Sequence, residues 1–189
     1  FESTHKKALD MVESNTKVLD IGCNTGELGN LLIEKKCEVT GIDYNAHQNQ
    51  KLKYYINHNL DEGLPEINYD QFDYVLILDV IEHLKDPENF FIKLKEKLKN
   101  NSKAKVLIST PNIAFIIMRL MLLFGKFNYG PRGILDKTHT RLFTFSSFSN
   151  LIKQSDFVIL KTFGIPAPFQ LALGKNFLSK FFETLNIFL

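Results

Sequence analysis

Apolar residues along this chain fall into short unbroken blocks, and between the blocks they recur every third or fourth position. The blocks Lys17 to Gly22 (KVLDIG), Cys37 to Asp43 (CEVTGID), Phe72 to Val80 (FDYVLILDV) and Ala104 to Thr110 (AKVLIST) predict buried strands. Lys53 to Asn59 (KYYINHN) predicts a shorter one. Helical spacing predicts helices over Gly26 to Lys36, Asp86 to Asn100 with Pro87 in the first turn, and Thr144 to Ser155. Phe157 to Gly164 follows without marking a seventh strand, which leaves the far edge of the sheet open. Continuous apolar strands alternating with helices imply a doubly wound α/β domain, a mostly parallel sheet with helices on both faces. In such sheets ligands bind beyond the carboxyl ends of the strands, near the point where strand order reverses.

The residues at those strand ends are polar or glycine. Gly22 closes the first strand and Gly26 opens the following helix, so the backbone there can turn tightly and approach a ligand. Asp43 closes the second strand 21 residues after Gly22, the spacing at which an acid meets ribose hydroxyls. Asn59 follows the third strand, and Asp79 closes the fourth. A dinucleotide fits this pattern less well. The pyrophosphate fingerprint would want glycine at position 24, where the chain has Asn24, and Asp20 would repel a pyrophosphate. The same acid would attract a sulfonium or ammonium, so a nicotinamide oxidoreductase is the weaker alternative.

A second constellation lies downstream. Asp79, Glu82 and His83 share one face if DVIEHL forms a helical turn, and a later polar loop carries His139 and Arg141. Two carboxylates and two imidazoles (Asp79, Glu82, His83, His139) would suit a divalent metal that lowers the pKa of an acceptor hydroxyl. Without a metal, His83 or His139 could act as general base with Glu82 in support. The third alternative is purely structural: Glu82 pairs with a base and the histidines fill the crevice rim.

VLDIGCNTGELG followed by VTGIDYN, FDYVLILDVIEHLKDP and VLISTPN resembles the class I S-adenosylmethionine-dependent methyltransferases, over roughly Val18 to Gly164. Within them the chain resembles O-methyltransferases of quinone biosynthesis and uncharacterised members linked to sugar or lipid pathways. NLDEGL (Asn59 to Leu64) is similar to the MetW-like proteins. The resemblance implies S-adenosyl-L-methionine as cofactor. Asp20, Gly22, Cys23, Asn24 and Gly26 would lie at its methionine end, Asp43 on the ribose, Asn59 and Leu60 beside adenine, and Asp79 near the methyl group. Asn24 stands where the family often has glycine, and Asn59 where it often has aspartate. The Asp-x-x-Glu-His pattern with a later His is also similar to small-RNA 2′-O-methyltransferases and some quinone-pathway enzymes that hold a divalent metal there. The expected function is methyl transfer to a hydroxyl of a small-molecule or lipid/sugar-linked acceptor. The alternatives are a non-catalytic cofactor-binding partner protein and an RNA ribose methyltransferase.

Composition adds limits. With 189 residues, 44% hydrophobic and 23% charged, the chain is of single-domain size and ordinary globular make-up. A net charge of +2 gives no reason to expect nucleic acid as a partner. Two cysteines without metal-ligand spacing, and no signal-like leader in the amphipathic opening, give a cytoplasmic expectation. A chain opening on Phe1 rather than Met is expected to be part of a longer one. The expected organisation is a methyltransferase domain over 1–165, with an apolar insertion at 113–133 acting as a lid or packing as a core helix. An apolar tail over 166–189 is expected to pack on the domain, pair two copies or touch a membrane surface.

Overall fold

The computed structural model describes residues 3–45 and 52–165. Within them the elements run α1 (Thr4–Met11), β1 (Lys17–Ile21), α2 (Glu27–Glu34), β2 (Glu38–Asp43), β3 (Tyr54–Asn57), β4 (Tyr74–Leu78), α3 (Pro87–Lys97), β5 (Lys105–Ser109), α4 (Ile116–Leu123) and α5 (Phe145–Gln154). The five strands form one parallel sheet in the order β3-β2-β1-β4-β5. Order reverses between β1 and β4, so the ligand crevice of a doubly wound sheet falls at their carboxyl ends. The expected fold class is the one observed.

Strand alternation divides the core into two layers. Leu19, Ile21, Val75 and Ile77 pack with Phe91 and Leu94 of α3 and Leu151 and Ile152 of α5. Val18, Val39, Tyr74 and Leu76 face Ala8 and Val12 at α1 and Leu28 and Leu32 of α2. Asp20 shares the face of Val18, two residues before it, which turns a carboxylate into the α1/α2 layer, where it is buried.

The helix starts follow local rules. The Asp86 carboxylate accepts from the Asn89 N–H with Pro87 behind it, and Thr144 and Ser147 form a reciprocal capping box at α5. α1 is an element that periodicity left unassigned. The Ser3 hydroxyl caps its start by accepting from the Lys6 N–H, and at its far end Lys35 Nζ donates to the carbonyls of Leu9 and Val12. A short polar helix thus becomes stable by tertiary capping from α2.

Phe157 to Gly164 is extended but joins no ladder among the described residues. Val158 and Leu160 are exposed, while Phe157 and Ile159 rest against the core. The core-helix alternative for 113–133 is not met: only eight of those residues are helical, and of α4 only Met118 is buried. The tail expected over 166–189 lies outside the described residues.

One polar clamp fixes the entry to β4. Asn101, in the turn after α3, donates its amide to the carbonyls of Tyr69 (3.3 Å), Asp70 (3.2 Å) and Phe72 (2.8 Å), just before β4. Asn101→Ala strands these acceptors and is expected to cost about 1–2 kcal/mol, read as a lower urea midpoint with an unchanged slope.

Candidate active site

The β1 tip is shaped by three left-handed residues in five: Gly22 (φ 76°), Asn24 (φ 47°) and Gly26 (φ 72°). At Gly22 a Cβ would lie 2.3 Å from Val80 Cγ2, so the close approach of β1 to the end of β4 demands glycine. Asn24 is one of the side chains that adopts this backbone at modest cost. The Gly22 and Cys23 N–H groups donate to the Ile42 carbonyl, at 2.7 and 3.1 Å. Asp43, at the tip of β2, accepts from the Asn24 N–H (2.9 Å) and the Asn45 N–H (2.9 Å), which ties the two strand tips together.

Two buried groups here have displaced acidities. Burial, with the Asp43 charge alongside, pushes the Asp20 carboxyl up to about 7. Burial, then the neighbouring Asp20 and Asp43, pushes the Cys23 thiol up to about 12, so it stays protonated and packs over Gly41 as an apolar contact. Asp20, Gly22, Cys23, Asn24, Gly26 and Asp43 therefore gather on the adjoining tips of β1 and β2. Asn59 and Leu60 do so less directly. The Asn59 Oδ1 accepts from the Asp61 N–H (3.1 Å) as the cap of a 3₁₀ turn over Leu60–Glu62, and Leu60 packs against the core. The carboxamide oxygen expected to meet adenine is thus engaged locally.

The downstream constellation assembles differently from a helical face. Asp79 is left-handed (φ 54°), and Ile81–His83 is a 3₁₀ turn. The Asp79 carboxylate accepts from Ser109 Oγ (2.8 Å) and Thr4 Oγ1 (3.1 Å), fastening β4 to β5 and α1. Glu82, His83 and His139 come together without it, each offering a ligand atom within 4.8 Å of the others. The four-residue set is thereby corrected to three, because the backbone reversal at Asp79 breaks the i, i+3, i+4 relation. Thr4, Ser109 and Thr110 border this end of the sheet and went unnoticed in the sequence, since isolated hydroxyl residues carry no periodic signal.

A backbone clamp explains how His139 reaches His83 from 56 positions further along the chain. The N–H groups of Thr140 (2.8 Å) and Arg141 (3.2 Å) donate to the Glu82 carbonyl, and the Thr140 hydroxyl donates to that of Leu84 (2.7 Å). Arg141 then pairs with Glu88 at 3.0 Å. The two rings meet edge to face with centroids 4.7 Å apart. His83 Nδ1 sits 3.3 Å from the Thr138 carbonyl, and His139 Nδ1 sits 2.9 Å from that of Ile134. With Nδ1–H donating in each ring, both Nε2 atoms keep a free lone pair. Burial, and then the adjacent His139, lowers the pKa of His83, which favours the neutral imidazole.

Glu82 completes the group. Its side chain is 1% exposed, neither carboxylate oxygen has a hydrogen-bond partner among the described residues, and the Thr110 hydroxyl alongside is likewise unpartnered. Burial, with some repulsion from Asp79, raises its carboxyl to about 7. A buried carboxyl without a hydrogen-bond partner, facing two imidazoles, suits either a shared proton or a shared cation.

Such a sheet, with acids on its central strand tips and imidazoles beside them, is a doubly wound α/β domain with its polar groups at the ligand-binding end. A family model described as a methyltransferase domain matches residues 2–162. The mitochondrial ubiquinone biosynthesis O-methyltransferase of Schizosaccharomyces pombe is 27% identical over 158 residues, covering 77% of this chain and 56% of the relative. The ubiquinone biosynthesis O-methyltransferase of Idiomarina loihiensis is 27% identical over 187 residues, covering 87% and 73%. Across several of these curated relatives the chain spans about half the length or less. Among solved structures, a SAM-dependent methyltransferase from Archaeoglobus fulgidus superposes with a TM-score of 0.62 at 20% identity, over 96% of this chain and 80% of that one. The chain belongs to the methyltransferase-domain family, and it shares its fold with S-adenosylmethionine-dependent methyltransferases of known structure.

Proposed function

We propose that this domain transfers the methyl group of S-adenosylmethionine to a hydroxyl oxygen of a small-molecule or lipid-linked acceptor. The observation that carries this reading is the placement of two orphaned imidazole Nε2 atoms and the buried Glu82 carboxylate just past β4, the strand that flanks β1 at the reversal of strand order. On this reading Asp43 holds the ribose hydroxyls, Asp20 faces the cationic methionine end, and the Gly22–Gly26 turn lets the backbone approach it. The sulfonium is already reactive, so the main task of the protein is to hold an acceptor oxygen in line with the methyl carbon. His83 or His139 takes the hydroxyl proton on Nε2 as the C–O bond forms, and S-adenosylhomocysteine leaves. The kinship to ubiquinone biosynthesis O-methyltransferases supports an oxygen acceptor on a quinone precursor.

A second reading has its own support in the unpartnered Glu82 carboxylate. Glu82, His83 and His139 would together hold a divalent cation, which when bound lowers the pKa of the acceptor hydroxyl. The donor set fits, since both imidazoles expose Nε2 while Nδ1 is anchored to a carbonyl.

Calorimetric titration is expected to show S-adenosylmethionine binding and no NAD binding. Radiolabelled methyl transfer to phenolic acceptors should be lost in His139→Ala, with cofactor affinity retained. Binding without turnover on any acceptor would favour a partner protein. Turnover unaffected by exhaustive chelation and by added Zn²⁺ or Mn²⁺ would remove the cation reading while leaving the base reading intact.

A further inference from the structure

We propose that Thr110 is a positioning residue for methyl transfer, its hydroxyl the donor that aligns the Glu82 carboxylate toward His83 and His139. The proposal rests on the reading of this site given above.

Strand geometry delivers the hydroxyl. Thr110 directly follows β5, and Pro111 follows it. The residue before a proline is held extended, so the alternation of β5 carries on through Thr110. Val106 and Ile108 pack in the layer beneath α3 and α5, and Leu107 packs in the α1/α2 layer. Thr110 continues the first row and Ser109 the second. Ser109 is fully engaged on its side: its hydroxyl donates to the Asp79 carboxylate (2.8 Å) and accepts from the Asp79 N–H (3.1 Å).

Thr110 is not engaged. Its Oγ1 is buried without a hydrogen-bond partner among the described residues, and it lies beside the Glu82 carboxyl, whose two oxygens are buried and unpartnered in the same way. A hydroxyl can donate one bond and an ionised carboxylate only accepts, so the two groups are complementary. Valine has the same branched shape and would fill the space with no polar atom to desolvate. A buried hydroxyl kept where valine would pack better therefore points to a bond made to the ionised form of Glu82. Just beyond, Asn112 pairs with Phe143, and the Ile113 N–H donates to the Phe143 carbonyl (2.8 Å). The end of β5 is thereby tied to the segment that brings His139 to Glu82.

The test compares Thr110→Val, which keeps the shape and removes the hydroxyl, with Thr110→Ser, which keeps the hydroxyl. Methyl transfer from S-adenosylmethionine to a phenolic acceptor is expected to lose about tenfold or more in kcat in Thr110→Val, with both KM values held within about twofold. Thr110→Ser should recover most of that loss. The deleted oxygen has no partner in the folded domain, so Thr110→Val should melt no lower than the parent chain. A clearly lower melting temperature would mean that the hydroxyl is already bonded, and would overturn the proposal. The Glu82→Gln background shows whether Thr110 acts through Glu82: there the same substitution should change kcat by less than about twofold. An undiminished loss in that background, or an unchanged kcat in Thr110→Val alone, would overturn it as well. At pH 8 the infrared carboxylate band that Glu82→Gln abolishes should shift in Thr110→Val and hold its place in Thr110→Ser, and a band unmoved in both would count against the contact. That measurement needs no turnover. A domain that methylates no acceptor therefore defeats the functional reading, while the band still decides for or against Thr110.

Discussion

Glu82→Gln is expected to make the ligand-free domain more stable at pH 8 while lowering methyl transfer by roughly 100-fold or more. The carboxyl lies at about 7 in the folded chain against an ordinary value of 4.5, because burial, helped by Asp79, outweighs what the backbone and the Thr110 side chain return to the charged form. The folded state therefore holds a proton that the unfolded chain has released between those values. Stability from this group is fully present below 4.5 and is lost as pH rises through 7. At pH 8 the wild-type domain carries a buried, unpaired charge, and the isosteric neutral amide removes a penalty on the order of 3 kcal/mol. Urea unfolding at pH 5 and pH 8 checks this: the variant should gain markedly more at pH 8. Equal gains at both values would mean that the carboxylate is compensated in the native state. A divalent cation adds a second arm, since one that binds the folded state stabilises the wild type and not the variant. A residue retained at such a cost points to work done by its ionised form.

The sheet was legible in the sequence because β1, β2, β4 and β5 are unbroken apolar blocks that need two covered faces, and nothing else satisfies Val18 to Ile21 or Tyr74 to Leu78 so simply. α2, α3 and α5 were legible from spacing and from Pro87. The glycine turn was legible too, from Gly22 at the strand end and Gly26 at the helix start. What escaped depends on contacts between distant segments. α1 owes its end to Lys35, a residue of the turn after α2. The Asp79 reversal could not be read from DVIEHL, whose spacing on paper favours a helical face. Nor could spacing show that the Glu82 carbonyl collects the Thr140 and Arg141 N–H groups and so delivers His139. Candidate residue types were visible in the sequence; which three of the four meet was decided by backbone hydrogen bonds.

On the proposed reading Asp20 and Glu82, the two carboxyls that burial raises to about 7, meet positive charge during a reaction cycle, one on each side of the reversal in strand order. A neutral acid in the empty domain that ionises on meeting a cation avoids the cost of a permanent buried charge. It also makes ligand binding release a proton. Asp20 and Glu82 share this character for the same reason, burial without a resident counter-ion, so the two ends of the site should show parallel pH behaviour toward different ligands.

For Asp20 the consequence is a steep pH dependence of cofactor affinity. Its carboxyl lies at about 7 in the free domain, chiefly through burial and secondarily through Asp43. A cationic methionine end binds the ionised form, so binding draws the pKa down. Affinity then rises with pH up to about 7 and levels off above it. Between pH 8 and pH 5 the dissociation constant for S-adenosylmethionine should weaken about 100-fold, one decade for each pH unit below the free-state value. Asp20→Asn removes the titration. Its affinity should be nearly flat over this range and match the wild type at pH 5, falling about 100-fold below it at pH 8, within the range expected for losing a hydrogen bond to a charged group. S-adenosylhomocysteine separates the two cationic centres, since it keeps the ammonium and lacks the sulfonium. The same slope for both ligands assigns Asp20 to the ammonium, and a flat profile for the homocysteine form assigns it to the sulfonium. A wild-type affinity for S-adenosylmethionine that does not change between pH 5 and pH 8 would show that Asp20 meets no positive charge of the cofactor.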